Sequence, residues 1–170
     1  MISDLPMDSP DALREGRFGG RLEFADLVRQ ALQVAAAQGW REIIWCDPDF
    51  ADWPLGERVV AQALHDWSSS GRKLTLLAAN YDAVLGRHAR FVTWRRAWSH
   101  LVECRKSAAA SASSLPSALW SPVWVFERLD IDRCTGVASS DAARRVALKQ
   151  RLSEYLLNSS AGFGASVLGL

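Results

Sequence analysis

At 170 residues, 49% of them hydrophobic and 23% charged, the chain is long enough to bury a substantial core and too short to suggest more than one domain. Twenty basic residues against nineteen acidic ones leave a formal charge of +1. That balance excludes a global field that would gather nucleic acid or anionic lipid, so any such binding has to be local.

The opening residues, Met1-Ile2-Ser3-Asp4-Leu5-Pro6, carry neither a basic n-region nor an apolar h-region. No uninterrupted apolar run approaches the roughly 18 residues of a membrane span, and cytoplasmic residence without membrane association is the expectation. Cys46, Cys104 and Cys134 lie far apart with no CxxC pair, which fits neither a disulfide framework nor a zinc site. Reduced cysteines in an apolar interior fit better.

Residues 1–20 mix Asp, Pro and Gly without apolar periodicity, which predicts a flexible leader before a single domain over 21–170. From Leu22 to Gln38, Phe24, Leu27, Val28, Ala31, Leu32 and Ala35 recur at helical spacing, with Gly39 placed to cap the end. "EIIWC", residues 42–46, predicts a buried strand closed by Asp47-Pro48. Pro54 to Ser69 returns to helical periodicity on Val60, Ala63, Leu64 and Trp67, and "KLTLLAA", residues 73–79, is a second apolar strand. Two such strands around a helix are the mark of a parallel βαβ unit.

Tyr81 to His100 predicts a third helix and Leu101 to Cys104 a third strand. "SAAASASSLPS", residues 107–117, is low in complexity and buries too little surface to offset its ordering entropy, so a mobile loop is expected there. "LWSPVWVFERL" and "CTGVAS" predict one strand each, Asp141 caps a helix running to about Asn158, and the apolar tail from Ser159 packs. The expected fold is α/β, a three-layer sandwich with a mixed, mostly parallel sheet flanked by helices.

Two segments carry chemistry. "WCDPDFADWP", residues 45–54, places Asp47, Asp49 and Asp52 just beyond a strand, where ligands bind in open parallel sheets. Two carboxylates at DxD spacing can supply hard oxygens to Mg²⁺. Haloacid-dehalogenase-like phosphatases also follow a strand with DxD, but this chain has Ala51 where their hydroxyl residue stands, and "LLAANYD" offers only Asp82 downstream. Pro48 and Pro54 favour turn and capping roles instead.

"RHARFVTWRRAWSH", residues 87–100, concentrates arginines, histidines and tryptophans. Arg87, Arg90, Trp94, Arg96 and Trp98 are the candidates for a nucleic-acid or subunit contact, and His88 and Arg95 for anion binding. Helical phase puts Val84, His88, Phe91 and Arg95 on one face, Trp94 and Trp98 on a neighbouring stripe, and Arg96 and His100 toward the other side. Basic groups split in this way favour a solvated helix with its tryptophans packed. His65 falls on the polar side of its own helix, and neither a nucleophile elbow nor a P-loop is present.

In order, a helix, a strand, "DPDFADWPL", a helix, "GRKLTLLAAN", "GRHARF" and the strand "LVECR" resemble the opening half of a phospholipase-D-like domain. The C-terminal "ALKQRLSEYLLNSSAGFGASVLGL" is similar to the closing helix and tail of an uncharacterised bacterial group of such domains. The resemblance implies a single half-domain that pairs as a homodimer. Active members need a histidine nucleophile, a lysine two places on and an aspartate about four further. The corresponding "SALWSPVWVFERLDIDRCTG" has no histidine and no lysine, which removes that chemistry.

A non-catalytic binding or interaction domain without a cofactor, its ligand unnamed and nucleic acid set aside as a partner, is therefore the expected function. The alternative is a Mg²⁺-dependent hydrolase acting on a phosphorylated or other anionic substrate through Asp47 and Asp49, with His88 or Arg95 steering. A weaker alternative is single-stranded nucleic-acid binding.

Overall fold

The computed structural model describes residues 12–163. In chain order the elements are β1 (Gly16–Phe18), α1 (Arg21–Gln38), β2 (Glu42–Cys46), α2 (Arg58–Trp67), β3 (Lys73–Ala78), α3 (Asp82–Arg87), α4 (Ala89–Ala97), β4 (Val102–Lys106), a 3₁₀ helix (Ala109–Ser114), β5 (Ser117–Trp120), β6 (Val125–Asp130), β7 (Thr135–Ser139), α5 (Ala142–Leu157) and β8 (Ser160–Ala161). The strands form one open sheet in the order β1-β7-β6-β5-β2-β3-β4-β8.

β2 alternates between two cores because successive side chains leave opposite faces of a sheet. Ile43 and Trp45 join the larger cluster with Phe24, Leu32, Val60, Leu64 and Phe91, contributed by α1, α2 and α4. Ile44 and Cys46 face the other way, onto Leu148 and Leu152 of α5. A strand buried on both sides has to be apolar throughout, which is why "IIWC" shows no polar alternation.

The sheet corrects the expectation of mostly parallel strands. β2 pairs with β3 and β3 with β4 in parallel. The other pairings, β1 with β7, β7 with β6, β6 with β5, β5 with β2 and β4 with β8, are antiparallel. Short turns make β5–β6 and β6–β7 antiparallel, since only a long crossover returns a chain to parallel pairing.

One such turn divides "LWSPVWVFERL", expected as a single strand, into β5 and β6. The Ser121 hydroxyl donates to Trp124 O at 2.6 Å and accepts from Trp124 N at 2.9 Å. Pro122 has no N–H for a ladder, so the strand breaks beside it.

Three further expectations change. Gly16–Phe18, inside the supposed leader, pairs with β7 and buries Phe18 against Phe24 and Phe126; residues 1–11 of that leader lie outside the described ones. The low-complexity segment contains a 3₁₀ helix, and Tyr155 of α5 donates its hydroxyl to Ser114 O at 2.9 Å. The helix expected over 81–100 breaks at His88, whose φ of −114° and ψ of 54° are not helical. Of the C-terminal tail, β8 pairs with β4 and Phe163 packs on Tyr81 at 5.0 Å, while residues 164–170 lie outside the described range. No helix among the described residues is long and apolar enough to cross a membrane.

Candidate functional site

Asp47 directly follows β2 and is fully buried, and every observed contact of its carboxylate is structural. One oxygen, Oδ2, accepts from the backbone N–H of Asp49 at 3.2 Å and of Phe50 at 2.8 Å. Its other oxygen, Oδ1, meets Arg128 Nη2 of β6 at 2.9 Å. Asp49 closes a smaller turn of the same kind, accepting from Ala51 N at 2.9 Å. These are the short-range bonds by which aspartate replaces backbone partners in a turn.

Arg128 joins the turn to the rest of the sheet. Its Nη1 donates to Asp52 Oδ2 at 2.9 Å and to Cys134 Sγ at 3.3 Å, and its Nε to Ser117 Oγ at 3.0 Å. The guanidinium lies 4.4 Å from the centre of the Phe24 ring. Burial works against its charge, but Asp47, Cys134 and Asp52 outweigh that and hold it above the ordinary arginine value. Asp47 and Asp52 are thus brought together by a cation supplied from a different strand. Asp49 makes no hydrogen bond or ion pair with it.

His88 is buried at the break between α3 and α4, where Nε2 donates to Phe50 O at 2.9 Å. Phe50 has a left-handed backbone, φ 58°, a costly conformation for a bulky residue that surrounding bonds must hold. Gly56 permits this approach, because a Cβ there would meet Arg87 O at 3.0 Å. Arg95 does not reach the turn. Its Nη2 donates to Phe163 O at 3.2 Å, and Nε and Nη1 have no partner among the described residues. The two candidates for anion binding are therefore committed to different parts of the fold. No cluster of three or more His, Cys, Asp or Glu able to hold a metal is found among the described residues.

The second candidate segment forms a surface. α2 and α4 pack side by side and leave a groove of about 440 Å³ lined by Ala61, His65, Ala89, Arg90, Thr93, Trp94, Ala97 and Trp98. Trp94 is its floor: buried, with Nε1 donating to Ser68 Oγ at 2.9 Å. Trp98 is half-buried at the rim, its ring centre 6.4 Å from that of His65 and 5.8 Å from that of His100.

Arg87, Arg90 and Arg96 are exposed and make no ion pair among the described residues. Arg90 is steered toward the groove by a 2.8 Å bond to Gly56 O. No carboxylate occurs in the sequence between Asp82 and Glu103. Asp66 of α2 is turned away, bound by Gln62 and lining the separate groove between α1 and α2. Sequence reasoning missed His65 as a member of this surface, since its partner Trp98 lies on another helix. It also missed Arg128, which no motif marked.

No family model matches the chain, and no curated protein matches it. The fold is that of a mixed α/β sheet layered by helices, and a solved structure shares it. That structure is TrmBL2, an archaeal chromatin protein reported to show a novel mode of DNA binding, with a TM-score of 0.62 and 16% sequence identity over 92% of this chain. The chain covers 56% of the length of that protein, and at this identity the likeness is one of fold.

These findings correct the resemblance to a bacterial phospholipase-D-like half-domain. No family model supports it, and a solved structure that shares the fold is an archaeal chromatin protein. The quoted segments are strand-turn-helix punctuation common to many α/β proteins, and the half-domain homodimer expected on that basis loses its ground.

Proposed function

We propose that this domain associates with nucleic acid through the face formed by α2 and α4. The observation that carries the reading is the carboxylate-free, arginine-bearing rim of an aromatic groove. It stands on a fold shared with a DNA-binding chromatin protein. Phosphate attraction depends on the local density of cations, so a chain of net charge +1 can bind through one basic face.

This replaces the interaction domain for which nucleic acid was set aside. That view rested on the basic groups of one helix being split by phase. The groove is instead built from two helices, and Arg90 with His65 and Trp98 converge on it although they come from separate elements.

The test is fluorescence anisotropy with labelled oligonucleotides across a salt series. Binding weakens linearly in log K against log salt, and Arg90→Ala and Arg96→Ala each reduce the slope by about 1 while weakening all sequences alike. Absence of binding at low salt, or arginine variants with an unchanged slope, would overturn it.

A further inference from the structure

We infer that the groove between α2 and α4 takes an unpaired base, making single-stranded nucleic acid the preferred partner of this face. The inference rests on the nucleic-acid reading above and adds to it the form of the strand.

A duplex offers a protein its phosphates and base edges, while the faces of its bases are hidden in the stack. Binding a duplex backbone needs cations alone. Here a cation accompanies aromatic rings: Arg90 lines the groove with Trp94 and Trp98, and Trp98 stands at the rim with His65 of α2 at 6.4 Å and His100 at 5.8 Å. Aromatic rings kept at a surface expose apolar area to water, and an unpaired base is the nucleic-acid group that covers them by stacking.

The groove is shallow and open. Ala61, Ala89 and Ala97 keep its walls low, and buried Trp94 gives it an aromatic floor, itself braced by Phe91 at 5.9 Å and Trp67 at 6.5 Å. Thr93 offers a hydroxyl to a base edge and Arg90 a guanidinium to the flanking phosphate. Arg90 has one N–H fixed on Gly56 O, which sets its direction and leaves the rest of the fork free for that phosphate. The carboxylates nearest in sequence do not compete: Glu57 is held by Arg29 at 2.8 Å, and Asp66 faces the neighbouring groove.

The test compares one labelled oligonucleotide as a single strand and as a blunt duplex, on wild type and on the Trp98→Ala, Trp98→Phe and Ala97→Phe variants, each checked for folding by circular dichroism. Wild type binds the single strand more tightly than the duplex. Trp98→Ala weakens single-strand binding roughly tenfold, and Trp98→Phe recovers most of it. Ala97 is exposed on its helix, so Ala97→Phe fills the groove without entering the core and weakens single-strand binding in the same way; it decides the question if Trp98→Ala does not fold. Duplex binding as tight as single-strand binding, with both groove variants neutral, overturns the inference and leaves the nucleic-acid reading standing. Failure to bind either form at low salt overturns both.

Discussion

Asp47 and Arg128 lie 81 positions apart in the chain and meet at 2.9 Å, with each side chain only 1% exposed. The pair locks the turn after β2 onto β6, a strand two places away in the sheet. Burying two charges costs more than their attraction alone returns, so this arrangement depends on the additional bonds to Asp52, Ser117, Cys134 and the two turn amides. Removing Arg128 leaves Asp47 charged, buried and without its ion-pair partner, while removing Asp47 leaves Arg128 with Asp52 alone.

Arg128→Met is expected to destabilise the fold by about 3 to 5 kcal/mol in urea unfolding, and Asp47→Asn by less, because Asp52 still pairs with Arg128. Combined, they cost clearly less than the sum of the two, because neither charge is then left alone. Asp47→Ala costs roughly a further 1 kcal/mol beyond Asp47→Asn, since asparagine still accepts from the amides of Asp49 and Phe50. Additive losses would mean that the pair contributes no coupling.

Mg²⁺ or Mn²⁺ is expected to leave the thermal midpoint unchanged. Both oxygens of Asp47 are already engaged by Arg128 and two amides, and Asp49 caps Ala51. A metal would have to displace a buried guanidinium. A metal-dependent rise in Tm that disappears in Asp49→Asn would restore the hydrolase alternative.

Gly136 sits opposite Arg128 in the ladder of β6 and β7. A Cβ there would lie 2.1 Å from Glu127 O and 2.7 Å from the ring of Phe18, so neither backbone nor core has room. Gly136→Ala is expected to lose at least about 1 to 3 kcal/mol, the usual cost of overpacking. An unchanged denaturation midpoint would contradict this close approach.

Alkali is expected to destabilise the protein. Burial pushes the Cys104 thiol up to about 11, with the Arg95 charge restraining it from rising further, against an ordinary value of 9.0. Burial likewise raises the Cys46 thiol and the Tyr81 phenol. The folded state therefore keeps protons that the unfolded chain has lost. The stabilisation is intact below pH 9 and declines between 9.0 and about 11 for Cys104. Urea midpoints across that range should fall, and less steeply in Cys104→Ser. Both thiols should also resist alkylation until the protein unfolds.

Local pattern was enough to place α1, α2, β2, β3 and α5, because their apolar spacing, the left-handed Gly39 and the cap at Asp141 act within a few residues of chain. The same pattern placed Asp47, Asp49 and Asp52 at a strand end. The Ser121-Pro122 break was equally present in the sequence, and reading through it lost a strand and with it the antiparallel half of the sheet.

Strand order, the role of the aspartates and the groove between α2 and α4 belong to the tertiary structure. Sequence spacing cannot say that Arg128 reaches Asp47, since hydrogen bonds across a sheet join residues by register and not by proximity in the chain. Nor can the phase of one helix show that Trp98 meets His65 on another. The residues determined by themselves which segments would be buried. Only packing decided that a turn rich in carboxylates became a brace, and that Arg90 and Trp98 came to line one groove with His65 of another helix.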